Sequence, residues 1–108
     1  MQVSNTEWSL AEKEIAQAAL KNAYDREVQA LISTVRARAG NITALEDIWQ
    51  LHDLLSTKRY EIDGKYDDRE SSLVFVFSQL VKEGWLQVNE LAGLDEAKLA
   101  KVKALTRM

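Results

Sequence analysis

The sequence predicts an all-α fold: a long antiparallel helical hairpin, or stalk, with a small C-terminal helical head, assembled as a homodimer. Three observations carry this. First, the 108 residues include thirteen alanines and fourteen leucines but no proline and only four glycines, where average usage would supply roughly five prolines. Nothing in that composition interrupts a helix. Second, apolar residues recur at three- and four-residue steps in successive segments. Third, the first of those segments makes a rod of roughly 45 Å, against a diameter of roughly 34 Å for a compact chain of this size. Such a rod leaves part of its apolar stripe without cover inside one chain, and a second copy packed hairpin to hairpin about a two-fold axis supplies the cover. One domain covers residues 1–108, with the stalk at about 9–63 and the head at about 65–108.

The first helix opens at Ser9-Leu-Ala-Glu12, the form of a capping box in which hydroxyl and carboxylate satisfy each other's backbone amides. Behind it Ile15, Ala16, Leu20, Ala23, Tyr24, Val28, Leu31, Ile32 and Val35 form one apolar stripe, flanked by Glu14, Lys21, Asp25, Arg26 and Arg36. Gly40-Asn41 closes the helix, with the glycine expected in the left-handed position, so it spans 10–39. Thr43-Ala-Leu-Glu46 repeats the capping signature and opens a second helix. Its core-facing series Ile48, Leu51, Leu55, Lys58, Ile62 is spaced 3, 4, 3, 4 like a coiled-coil seam and runs to about Asp63-Gly64. The connection is short enough to force an antiparallel hairpin. Leu73-Val-Phe-Val-Phe77 would suit a buried strand, but the apolar set continues through Leu80 and Val81 to Lys82-Glu83-Gly84, a helix C-terminus. That pattern predicts helix over about 66–83. A short helix near Val88–Ala92 stops at Gly93. Asp95 then caps a last helix through Leu99, Val102 and Leu105, with Lys98, Lys101, Lys103 and Arg107 on its outer side.

Composition also narrows function. The absence of cysteine excludes a disulfide scaffold, a thiol nucleophile and cysteine-ligated metals, and one histidine excludes a multi-histidine metal site within the chain. A net charge of −3 gives no general electrostatic drive toward nucleic acid or anionic lipid. Residues 1–8 have neither a basic start nor an apolar core, so no signal peptide is expected, and the longest apolar run is far short of a membrane span. A reducing, cytosol-like compartment follows. His52 and Asp53 are adjacent and so point about 100° apart on a helix, poor geometry for an orienting hydrogen bond, and no serine sits in an elbow motif. The chain is not expected to be an enzyme or to hold a cofactor. The run Asp63 to Glu70 superficially resembles a calcium loop, yet Lys65 stands where the pattern needs Asp or Asn and the glycine comes second. A charged junction with Lys65 and Arg69 against Asp67 and Asp68 fits it better.

Two surfaces stand out. On the second helix Trp49, His52, Asp53, Ser56 and Tyr60 gather beside the apolar seam, with Arg59 at the border; Trp, Tyr, Arg and His together are residue types that dominate binding hot spots. The pattern equally fits a solvated helix edge with ordinary ion pairs. The segment from Leu73 to Leu105 has the outline of a helix-turn-helix DNA reader with its lysines on the last helix, against a net acidic chain lacking a second phosphate-anchoring patch. The same lysines equally fit a small basic surface for an acidic protein partner. Leu31, Ile48, Leu51 and Leu55 are the candidate dimer contacts.

The run from Asp47 to Arg69, with its Trp-x-x-His-Asp and Lys-Arg-x-Glu-Ile-Asp-Gly-Lys-Tyr signatures, closely resembles the cyanobacterial fluorescence recovery protein family. So do Val74-Phe-Val-Phe77, Gln79 to Trp85 and the closing Lys-Ala-Leu-Thr-Arg-Met108. The resemblance implies an all-helical homodimer that binds the photoactivated orange carotenoid protein, chiefly through that sensor's C-terminal domain. It implies faster return of the sensor to its resting orange form and its release from the phycobilisome, which ends the quenching of excitation. No covalent chemistry and no pigment of its own are implied, and the expected location is the cytoplasmic face of the thylakoid near phycobilisomes, without membrane insertion. Matched position by position, the family's polar patch falls on Trp49, His52, Asp53 and Arg59, its head contacts on Phe75 and Lys101, and a dimer-interface position on Ile48.

Overall fold

The computed structural model describes residues 7–108, so most of the stretch expected to carry no signal peptide lies outside the described residues. Along these residues the chain forms α1 (Leu10–Gly40), α2 (Leu45–Lys65), α3 (Leu73–Glu83), a 3₁₀ turn (Val88–Leu91) and α4 (Glu96–Thr106). At 31 residues α1 is about 46 Å long. It dictates the outline: the molecule measures 59 × 24 × 22 Å with a radius of gyration of 17.0 Å, against about 13 Å for a compact chain.

The capping box at Ser9 forms as expected, with Ser9 Oγ accepting from the Glu12 amide at 3.1 Å and Glu12 Oε1 accepting from the Ser9 amide at 3.0 Å. The buried line on α1 is narrower than the sequence stripe. Ala16, Ala19 and Ala23 are buried, and Glu12 and Glu27 continue the same line at its two ends. These alanines let the N-terminal half of α1 lie close under α3 and the 3₁₀ turn, where Trp8, Phe77, Leu80, Leu91 and Val102 complete the core. Farther along, Val28, Leu31 and Val35 are only half-buried, and Tyr24 and Ile32 are exposed. The core therefore sits at one end of the rod.

Several boundaries differ from expectation for identifiable reasons. Gly40 is not left-handed, because positive φ occurs only at Gly84 and Gly93 among the described residues. Instead Asn41 ends α1, its backbone N–H reaching Arg38 O and its side-chain amide donating to Ala37 O at 3.0 Å. Thr43 does not cap α2: Ala44 occupies the N-cap position, and the Asp47 carboxylate accepts from the Thr43 amide and hydroxyl and from the Ala44 amide. These hydrogen bonds hold the Asp47 carboxyl below the usual range. α3 starts at Leu73 and not near 66, since Asp67 binds both the backbone amide and the guanidinium of Arg69 and locks residues 67–69 into a local turn. α3 then closes as expected at Gly84, where the Gly84 and Trp85 amides reach back to Val81 and Leu80 in a Schellman arrangement. Gly93 (φ +107°) lets α4 close on α1, for a Cβ there would meet Ile15 Cδ1 at 2.5 Å.

The seam of α2 is not core within the single chain. No residue of α2 is buried, and Ile48 and Leu55 are 43% and 39% exposed.

Candidate partner-binding surface

The sequence-predicted site residues fall into two groups. α2 presents Trp49, His52, Asp53 and Arg59 to solvent, with half of the Trp49 surface exposed. His52 Nδ1 stands 3.4 Å from Asp53 Oδ1, a long and exposed contact. Arg59 Nε stands 3.7 Å from Asp63 Oδ2 one turn on, the kind of surface pair that contributes little and leaves a guanidinium available to a partner.

The second group is on the head. Phe75 is 63% exposed although it lies in the most apolar helix of the chain. It shares with Lys101 a hollow of about 370 Å³ whose apolar walls are Trp8, Val74 and Leu105. Among the described residues no carboxylate lies within ion-pair distance of Lys101, and Glu70 across the hollow is taken by Lys13 at 3.2 Å. The hollow thus offers apolar surface, an exposed aromatic and one uncommitted cation. On its other side Phe75 borders a shallower groove toward the end of α2, where Tyr60 and Lys65 face Val76 and Gln79. Trp49, His52 and Asp53 are not brought to the head: about 24 Å of α2 separates Trp49 from Lys65.

Two ionic clusters hold these surfaces in place, and neither is anticipated by the sequence reading. Lys98, expected on the outer side of α4, is buried. Its Nζ donates to Glu7 O at 2.7 Å and to Glu12 and Asp95 carboxylates at 3.2 Å, and lies 4.8 Å from the centre of the Trp8 ring. Burial pulls the ammonium down, and the Asp95 and Glu12 hydrogen bonds outweigh that and leave it above the ordinary lysine range. Burial likewise pushes Glu12 up, but bonds from the Ser9 and Asp95 amides and from Lys98 bring it below the usual carboxylate range. Lys65 does not pair with Asp67 or Asp68 as expected. It bonds Glu27 of α1 and Glu83 of α3, both at 2.6 Å, while Tyr66 Oη donates to Glu27 at 2.7 Å. Burial raises the Tyr66 hydroxyl far above its ordinary value, reinforced by that Glu27 contact. A readable signal existed for each cluster: Glu12 and Glu27 extend the alanine line at helical spacing, and Lys98 continues the series Leu91, Leu94, Val102.

Residues 8–106 match the family described as photoprotection regulator fluorescence recovery protein. The fluorescence recovery protein of Synechocystis sp. is 51% identical over 108 residues, covering 100% of this chain and 99% of that protein. The chain belongs to the fluorescence recovery protein family. The fold agrees: the solved fluorescence recovery protein of Fremyella diplosiphon superposes with a TM-score of 0.92 at 58% identity, covering 94% of this chain and 100% of that one. The Synechocystis structure gives a TM-score of 0.92 at 53% identity with the same coverage. The all-helical architecture is therefore that of fluorescence recovery proteins, a family of photoprotection regulators. Among the described residues of this member, no helix is long and apolar enough to cross a membrane.

Proposed function

We propose that the chain binds the photoactivated orange carotenoid protein, mainly at its C-terminal domain, and accelerates return to the orange form and release from the phycobilisome without covalent chemistry. The observation that carries the reading is the head hollow, where exposed Phe75 and uncommitted Lys101 adjoin in a member of a photoprotection-regulator family. Phe75 and Trp49 supply apolar area to a complex, and Arg59 and Lys101 steer an acidic partner; His52 and Asp53 add polar contacts on α2. Back-conversion needs the two separated domains of the sensor to meet again. A partner that binds open and intermediate forms, and holds the barrier-crossing arrangement more tightly than the open one, speeds the return without altering the product. Bridging both domains raises their effective concentration. Such a regulator acts in the cytoplasm at the thylakoid face, where phycobilisomes dock.

The working form is a homodimer. Ile32 of α1 and Ile48 and Leu55 of α2 are each more than a third exposed in the single chain. With about 100° per residue and antiparallel helices, they project to one flank of the hairpin, together with Leu31 and Leu51 at its inner edge. Two such flanks packed face to face complete a four-helix bundle.

The test is the dark recovery rate of the photoactivated carotenoid protein, read from its colour in a cuvette. The unaltered chain accelerates it, and Arg59→Leu and Phe75→Ala each lose most of the acceleration while remaining folded. Full acceleration by both variants would overturn the residue assignment. No acceleration by the unaltered chain, with salt-sensitive retention on DNA instead, would favour the helix-turn-helix reading. Burial of Lys98 already removes one cation from that reading's helix.

A further inference from the structure

The end of α2 meets α1 and the head at an ionic junction. Lys65, the last residue of α2, is 10% exposed at its side chain and reaches two helices at once: Glu27 on α1, 6% exposed, and Glu83 at the end of α3. Tyr66 donates to the second oxygen of Glu27, and the Trp85 indole donates to Glu83 at 3.1 Å. Every polar atom buried at this junction is satisfied among the described residues. Apart from this contact, α2 contributes no buried residue to the chain. Its C-terminal end, with Arg59 and Tyr60 one to two turns before Lys65, is held between α1 and α3 by Lys65, beside the edge-on contact of Tyr66 with Tyr24. The groove between Tyr60 and Phe75 has Lys65 and Glu83 in its lining, so the clamp also sets the groove's width.

We propose that Lys65 is a positioning residue that holds the end of α2 at one angle to the head, so that Arg59 on α2 and Phe75 on α3 meet a partner as one surface. The functional half of this inference rests on the reading given above; the geometrical half does not. A charged bond at 2.6 Å to each of two helices leaves little angular freedom, and loss of partner geometry by an ångström is enough to cost a large factor in rate.

The decisive variant is the double replacement Lys65→Met with Glu27→Gln. It removes the two most buried charges together, while Glu83, 30% exposed, keeps its hydrogen bonds from Gln79 and Trp85, and the glutamine carbonyl still accepts from Tyr66. Lys65→Arg is the conservative control. The chain has no cysteine, so Thr57→Cys and Lys82→Cys, both exposed, place spin labels on α2 and the head, with labelled chain diluted into unlabelled chain. The expected result is one narrow label distance in the unaltered and Lys65→Arg proteins and a broadened or shifted one in the double variant. Helix content stays unchanged, and the saturating acceleration of the carotenoid protein falls roughly tenfold. An unchanged narrow distance in the double variant overturns the clamp. A broadened distance with undiminished acceleration overturns its role in partner action. An unaltered chain that accelerates nothing refutes the functional reading, and the distances then decide the clamp by themselves.

Discussion

At the scale of single residues, the two lysines of α4 that matter most have opposite fates although they are three apart. Lys98 is 2% exposed and holds the start of α1 through Glu12 and the Glu7 carbonyl, while Lys101 stands open at the Phe75 hollow. Removing one partner of a buried ion pair strands the other, at a cost of about 3–5 kcal/mol; a surface lysine costs about 0.5 kcal/mol or less. Lys98→Ala is therefore expected to lower the urea unfolding midpoint sharply and Lys101→Ala hardly at all, with the reverse order for partner acceleration. A propensity reading assigns lysine to the surface by default. Here Glu7 and Glu12 come from more than eighty residues away, so its fate is not visible in local pattern except as a polar residue standing in an apolar series.

At the scale of elements, helix ends were more legible than helix faces. The Ser9 box, the Gly84 stop and the Asp95 cap follow from local chemistry, and Asp95 accepts from the Lys98 amide at 2.8 Å as a cap should. Ser9→Ala is expected to cost about 1 kcal/mol and to weaken the first turn of α1 alone, measured as faster amide exchange there with the rest of the chain unaffected. Two of the differing starts share one cause. At Thr43 and at 67–69 an aspartate accepts from nearby backbone amides, Asp47 from Thr43 and Ala44 and Asp67 from Arg69, by geometry that spacing does not encode. The apolar stripe on α1 is continuous in sequence, but burial follows the alanines, because close approach of α3 and the 3₁₀ turn selects small residues over large ones.

At the scale of the whole molecule, the elongated shape and the exposed flank of the hairpin bear on assembly and on stability. The homodimer proposed above predicts that Leu55→Glu halves the mass found by sedimentation while leaving helix content near its original value, since Leu55 supports no core within the chain. Acid is expected to act on the head and junction. Arg26 holds Glu90 below its usual range; Glu83 is lowered because its bonds to Lys65 and Gln79 outweigh burial; Glu12 and Asp95 are lowered as well. Their stabilising contribution is complete above the ordinary glutamate value of 4.5 and is lost as pH falls through the lowered folded values. Lys65 and Lys98, both raised, contribute fully below the ordinary 10.5 and lose that contribution as pH climbs through the raised values. Urea midpoints measured across pH should show a plateau between these limits with a fall at either end. By itself the sequence determined the all-helical class, the hairpin, most helix ends and, through family resemblance, the candidate contacts Trp49, His52, Asp53, Arg59, Phe75 and Lys101. All of these are written in short-range spacing or in specific motifs. Tertiary structure alone decided that Lys98 and Lys65 are internal clamps, that Trp8 walls the Phe75 hollow, and that the α2 seam lies open in the single chain. Each depends on which distant helices meet, and local periods carry that information only as a charged residue standing in an apolar series.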